Sequence, residues 1–249
     1  LHLIEAWAGC AKQAKGLGMR VAIVENTRAT HHGQVGVALH EVGAMVEIYR
    51  PWKDGLLPEP GSFDALVSFG GEQSALDDAL HPYLPRLAHL MAEAAGTGTA
   101  VLGICLGSQV LARGLGATNH LGTAREFGWC EVSLRPESAA DAVLSALPAR
   151  FEIFEWHSDT FSLPPGAEHL AGSPVAAVQC YRYGRAGYGM QFHFEASCAV
   201  ARSWAQLFPE ASEQAYPGWL AALPEREKTQ GRAADLHGLA IARAWVGLI

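Results

Sequence analysis

The chain reads as an α/β protein: a doubly wound, mostly parallel sheet with helices on both faces and an added antiparallel portion. Three observations predict this. Short apolar strands alternate with helical patterns over residues 21 to 115. Two of those strands run into glycine-flanked turns, Gly70-Gly71 and Cys105 between Gly103 and Gly107. From about residue 121 the helical patterns give way to closely spaced strand segments.

Residues 21–25 form the first expected strand and 35–42 a helix ending near Gly43. Residues 46–49 and 64–69 are the second and third strands, the latter closed by Gly70-Gly71. Residues 84–95 read as a helix stopped by Gly96 and Gly98, and 101–104 as the fourth strand, followed by a helical pattern at Val110, Leu111 and Leu115. The strand-rich part offers 130–134, 152–156, 176–183 and 187–193, with a turn at Gly184 and Ala186-Gly187. Helical character returns after Ser197 and over 233–246, and the Pro-containing stretch 209–224 is expected to be a surface connection. In doubly wound sheets, sites lie beyond the carboxyl ends of the strands, where both glycine-flanked turns fall.

Composition narrows the function classes. The 249 residues are 49% hydrophobic and 17% charged, enough for a sizeable core. A formal charge of −7 without a basic cluster argues against nucleic acid as a main partner. No apolar run reaches the length of a membrane span, so no membrane partner is expected. The five cysteines, at 10, 105, 130, 180 and 198, form no Cys-x-x-Cys pair. Their spacing therefore indicates neither a disulfide framework nor a zinc site, and a reducing cytoplasm is the simplest setting. Residues 1–18 lack the features of a secretory signal. Met19-Arg20-Val21 looks like a natural start, so 1–18 is expected to be an extension outside the native chain and 19–249 a single domain. The alternative is a genuine N-terminal helix carrying Trp7.

Val101-Leu102-Gly103-Ile104-Cys105-Leu106-Gly107-Ser108-Gln109 has the form of a nucleophile elbow, a sharp strand-to-helix turn that lifts one reactive side chain above the sheet edge. Such a turn needs small neighbours, here Gly103 and Gly107. The unpaired N–H groups and positive dipole end of the following helix favour a thiolate at Cys105. A cysteine nucleophile needs a base, and the base a partner fixing its tautomer. Two segments place an acid two residues after a histidine, His157-Ser158-Asp159 and His193-Phe194-Glu195. In a strand either pair would share a face. His193 with Glu195 is preferred because it ends an expected strand at the carboxyl edge. His157, in a loop near the same cleft, is the alternative. An oxyanion needs two converging N–H donors. Leu106, after the nucleophile, supplies one, and the turn Ser68-Phe69-Gly70-Gly71 is placed to supply the other. His31-His32 is expected in a solvated loop, with a place lining the cleft as the alternative. The tryptophans read as packing residues, and Cys130, Cys180 and Cys198 as small buried hydrophobes.

Gly103-Ile104-Cys105-Leu106-Gly107-Ser108-Gln109, followed later by Gln191-Phe192-His193-Phe194-Glu195, resembles the class I (triad) glutamine amidotransferases. It is most similar to the glutaminase domain of GMP synthetase and its stand-alone relatives, over roughly residues 20 to 200. Gly70-Gly71, Trp156-His157-Ser158-Asp159 and the segment Phe127-Gly128-Trp129, read as structural, support it. The resemblance implies a flavodoxin-like fold and a Cys105–His193–Glu195 triad. It implies an oxyanion hole from the Gly71 and Leu106 amides. It also implies that Gly70, Gln109, Ser158 and Asp159 line the site for a γ-glutamyl substrate. Implied is a glutaminase delivering ammonia to a separate synthetase, or alternatively a stand-alone γ-glutamyl peptidase. Neither requires a metal or organic cofactor. Relatives often carry proline after the two glycines, where this chain has Glu72-Gln73-Ser74. No Ser-Gly-Gly-x-Asp-Ser loop of an ATP-pyrophosphatase occurs in the chain. A non-catalytic binding module would be expected to have lost the triad, which is present.

Overall fold

The computed structural model describes residues 18–249; the expectations for the N-terminal extension, Trp7 and Cys10 lie outside the described residues. The strands form one nine-stranded sheet and a separate two-stranded ribbon. β1 (Arg20–Val24), β2 (Met45–Tyr49), β3 (Ala65–Ser68), β4 (Ala100–Ile104) and the late strand β11 (Gly187–Met190) pair in parallel, in the order β2-β1-β3-β4-β11. Beyond β11 the sheet continues through β10 (Cys180–Tyr183), β9 (Glu168–Gly172), β6 (Glu126–Leu134) and β7 (Arg150–His157), each antiparallel to its neighbour. The ribbon is β5 (Asn119–His120) with β8 (Thr160–Phe161). This is the doubly wound, mostly parallel sheet with an antiparallel extension that the pattern predicts.

The period of the strands decides which helices cover which face. In β1, Val21 and Ile23 pack with α1 (Gly33–Glu41) and the C-terminal helix α8 (Arg232–Val246), through Val35, Leu39, Ile241 and Trp245. The alternate residues Ala22 and Val24 join Leu87 and Met91 of α3 (Leu84–Gly96) and Val110 and Leu111 of α4 (Leu106–Gly114) on the other face. Residues buried on both faces make β1, β3 and β4 nearly continuous apolar runs rather than alternating ones, whereas the edge strand β2 is exposed and carries Glu47.

Several expectations need correction. The stretch 209–224 is not a surface connection. After α5 (Cys198–Leu207) it holds α6 (Pro209–Ala215) and most of α7 (Trp219–Arg226), and a short π turn leads on to α8. Pro209 sits in the first turn of α6, where its missing N–H has no partner to lose, so here it starts a helix. Trp219 of α7 is buried among Phe127, Trp129 and Phe154. The four-residue helix α2 (Pro51–Asp54), β9 and the two-residue strands β5 and β8 were not anticipated. The last strand ends at Met190, three residues short of His193.

Candidate active site

Cys105 is the only non-glycine residue with positive φ among the described residues, at φ 51° and ψ −111°. The conformation is held from both sides. The Cys105 N–H donates to Met190 O at 2.8 Å, and its carbonyl accepts from Ser108 N, Gln109 N and Ser108 Oγ. The flanking glycines are required by close approach. A Cβ on Gly103 would lie 2.4 Å from Gly107 O, and one on Gly107 only 1.9 Å from Ser68 O. Helix α4 therefore begins against the end of β3, with the sulfur at the carboxyl edge of β4. The sulfur faces Trp156 O at 3.7 Å.

His193 and Glu195 come together, though not through strand periodicity. They lie in the turn after β11, where His193 N–H donates to Phe154 O (2.8 Å) and Ala196 N–H to His193 O. His193 Nδ1 donates to Glu195 Oε1 at 2.7 Å, the acceptor being a carboxylate with 1% exposure. The indole of Trp204 meets the His193 ring edge-on at 5.1 Å. Burial works against the charged ring, but Glu195 and the Cys105 sulfur hold its pKa well above the ordinary value. Gly70 fills the gap between nucleophile and base. A Cβ there would be 2.9 Å from His193 Cε1 and 3.5 Å from Cys105 Cβ.

The Gly70-Gly71 turn is fixed from below. Asn26 donates to Ser68 Oγ and Phe69 O, while Gln73 Nε2 donates to Asn26 O and to the Tyr83 hydroxyl, which donates in turn to Asn26 Oδ1. Gln73, in the segment Glu72-Gln73-Ser74 after the two glycines, thus serves this turn. Glu72 accepts from Thr27 Oγ1. Gly71 packs directly on Leu106, to whose Cδ2 an added Cβ would approach within 2.8 Å. Gln109 donates to Gln191 Oε1 and, at 3.4 Å, to Asp159 O. Asp159 Oδ1 accepts from Gly122 N, and Ser158 O from Ala124 N.

All nine residues singled out from the sequence line one cavity of about 600 Å³, together with Glu72, Arg125, Glu126, Trp156 and His157. Trp204 and Phe208, with Ala211, Gln214 and Ala215 of α6, supply a wall that the sequence reading missed. Amphipathic spacing after Pro209 was the signal available. His31 also lines the cavity, bonding Ser203, and His32 pairs with Glu25 and stacks on Phe69. Neither is in a solvated loop, because the chain after β1 folds back over the carboxyl edge. Of the cysteines expected to be buried, Cys180 is, whereas Cys130 and Cys198 are partly exposed.

His157 ends β7 rather than occupying a loop, and both its nitrogens face protein oxygens. Nδ1 faces Asp159 O at 3.0 Å, and Nε2 lies 3.2 Å from Glu126 and 3.3 Å from Glu155. Burial disfavours its charged form, but the two carboxylates hold its pKa up to about 10. Burial, opposed by His157, pushes Glu155 up to about 7.

A doubly wound sheet with a buried thiol, imidazole and carboxylate gathered at its carboxyl edge belongs to the α/β class with a cysteine-bearing elbow. The model of the glutamine amidotransferase class-I family matches residues 17–205, and the chain belongs to that family. It is 32% identical over 145 residues to a glutamine amidotransferase-like protein of Salmonella typhimurium, covering 57% of this chain and 61% of the relative. It is 37% identical over 117 residues to a glutamine-hydrolyzing GMP synthase component of Methanoregula boonei, covering 45% and 61%. The chain thus spans less than two thirds of these curated relatives. A solved glutamine amidotransferase of Methylobacillus flagellatus superposes with TM-score 0.81 at 27% identity, covering 94% of this chain and 96% of that one. One from Thermotoga maritima gives 0.80 at 26%, covering 92% and 99%. Among the described residues no helix is long and apolar enough to cross a membrane.

Proposed function

We propose that the chain hydrolyses the side-chain amide of glutamine and delivers the ammonia to a separate synthetase. The observation that carries this reading is the strained Cys105 elbow facing the His193–Glu195 pair. The Cys105 thiolate attacks the amide carbon, and the oxyanion that forms is met by the N–H groups of Gly71 and Leu106. The His193 imidazolium gives its proton to the departing ammonia as the tetrahedral carbon collapses to a glutamyl thioester. Neutral His193 then takes a proton from water, which attacks the thioester, releasing glutamate and restoring the thiolate–imidazolium pair. Glu195 holds Nδ1–H throughout and fixes the ring. Gly70, Gln109, Ser158 and Asp159 border the α-amino and α-carboxylate groups.

A cavity of about 600 Å³ exceeds the needs of one amino acid and supports a second reading, a stand-alone hydrolase of larger γ-glutamyl compounds. Glutamate release from glutamine and from γ-glutamyl peptides, measured for the unmodified chain and for Cys105→Ser, separates the two. Turnover confined to glutamine supports the first; faster turnover of peptides supports the second. Cys105→Ser is expected to lower either by at least about 10³-fold. A folded serine variant with undiminished turnover would refute the nucleophile and both readings.

A further inference from the structure

Behind Cys105, at the back of the cavity, three side chains present donor atoms to one point with no acceptable partner for some of them. Glu155 is completely buried, and neither of its carboxylate oxygens has a hydrogen-bond partner among the described residues. His157 Nε2, on a side chain with 1% exposure, is likewise without a properly directed partner. Leaving such groups unsatisfied in the interior is costly. Glu126 completes the set, and one donor atom from each residue lies within 4.8 Å of the other two.

We propose that Glu126, Glu155 and His157 form a divalent-cation site, with zinc the ion that best suits one imidazole and two carboxylates. The distances fit an ion between the three groups. A charge-assisted N–H···O bond is about 2.7–2.9 Å long, whereas Nε2 stands 3.2 and 3.3 Å from the two carboxylates. Neighbouring donors around a tetrahedral zinc with bonds of about 2.0 Å are roughly 3.3 Å apart.

The surroundings are those of a metal ligand set. His157 Nδ1–H donates to Asp159 O at 3.0 Å, so the proton that a bound cation would displace is the one on Nε2, the nitrogen that faces the carboxylates. Glu126 Oε2 is held by Gln179 Nε2 at 2.7 Å and Ser173 Oγ at 3.0 Å. Charge completes the case. One divalent cation would neutralise two buried carboxylates beside a neutral imidazole. Glu126 and His157 line the cavity, so a fourth coordination position opens toward it. The ion ties the start of β6 to the end of β7 and fixes the turn at Ser158 and Asp159. No step of amide hydrolysis passes through it.

Zinc binding decides the matter without any activity measurement. The chelator-stripped chain, Cys105→Ser and Glu155→Gln are titrated with Zn²⁺ against a chromophoric chelator, and the unmodified chain is loaded with Co²⁺ for its absorption spectrum. The expected result is one zinc per chain in the unmodified and Cys105→Ser proteins and at least a tenfold weaker site in Glu155→Gln. The cobalt spectrum, which needs no variant to fold, should lack a thiolate-to-metal charge-transfer band. Absence of zinc binding by the unmodified chain would overturn the proposal. So would binding lost in Cys105→Ser but kept in Glu155→Gln, or a thiolate band, since either places the metal on a cysteine.

Discussion

Replacing Gly107 by alanine tests the packing that aims Cys105. The added Cβ would sit 1.9 Å from Ser68 O and 2.7 Å from Ser68 C, both backbone atoms at the end of β3. Ordinary contact begins at 3.4 Å, so helix and strand must part by about 1.5 Å. No rotamer change relieves a contact between a Cβ and a backbone carbonyl. The cost of such overpacking is about 1–3 kcal/mol, which for a chain of this size lowers Tm by roughly 2–12 °C. The shift also moves the first turn of α4, and with it Cys105 and the Leu106 amide, away from the Gly70-Gly71 turn. A displacement of about 1 Å at reacting groups costs on the order of 10²-fold in rate. Calorimetry and glutamate release should therefore both register the change. Gly96→Ala is the matched control. It is the same substitution at the end of α3, with open space around the new Cβ, and should be neutral or stabilising by up to about 1 kcal/mol. A Gly107→Ala protein with unchanged Tm and unchanged turnover would refute the argument.

Glu195→Gln should lower the pKa of His193, because burial then acts on the ring without the carboxylate that offsets it; NMR titration of the imidazole reads this directly. Since the folded-state pKa is raised, the stability this pair contributes is full below the ordinary histidine pKa and is lost as pH rises through the folded value. The stability gap between the parent and Glu195→Gln should accordingly narrow in alkali, as followed by denaturant melts. Tyr83→Phe removes the hydroxyl that joins Gln73 to Asn26 and leaves Asn26 Oδ1 without that donor. It should cost about 1–3 kcal/mol and lower turnover by loosening the Gly70-Gly71 turn; equal turnover in both proteins would remove that network from the site's support.

The parallel half of the fold was legible because each strand is short, apolar and closed by a recognisable turn. The elbow was legible because Gly103 and Gly107 answer a steric demand that the structure contains. The pairing of His193 with Glu195 was foreseen on the wrong ground. Strand periodicity was expected to align them, but the strand stops at Met190, and a turn tied to Phe154 O brings them within 2.7 Å. Of the acidic partners of His157, Glu155 stands two residues before it on the same strand, within reach of a period-two argument, but Glu126 could not be read because it lies on a different strand, paired across the sheet. Local sequence carries period and turn chemistry, whereas cross-strand neighbours depend on register between distant segments. Helices α6 and α7 were hidden by Pro209, Pro217 and Pro224, which read as breakers. Pro209 starts one helix and Pro224 sits inside the next, stabilised by the burial of Trp219 and Leu223.

The antiparallel extension explains how His157 and Trp156 reach a cysteine several strands away. Successive strands lie about 4.8 Å apart, so the four steps from β11 to β7 would span roughly 19 Å in a flat sheet. Trp156 O is nevertheless 3.7 Å from the Cys105 sulfur, and Phe154 bridges to His193 just past the end of β11. The extension must therefore curl until its last strand meets the chain beyond its first. Three features permit this. The pairing of β9 with β10 shifts register between Cys180 and Tyr181, a bulge that increases local twist. β6 pairs with β9 only at Ser133 and Leu134, leaving its earlier residues free to bend away. Gly128 within that free part has φ 87° and gives its Cβ space to the Trp219 ring. Alternation of strand direction does the rest. β7 runs the same way as β4 and β11, so its carboxyl end, like theirs, opens at the edge that holds Cys105. The rule that places sites at the carboxyl edge of a parallel sheet thus survives in a mixed one, because curling returns β7 to the edge that its direction already shares.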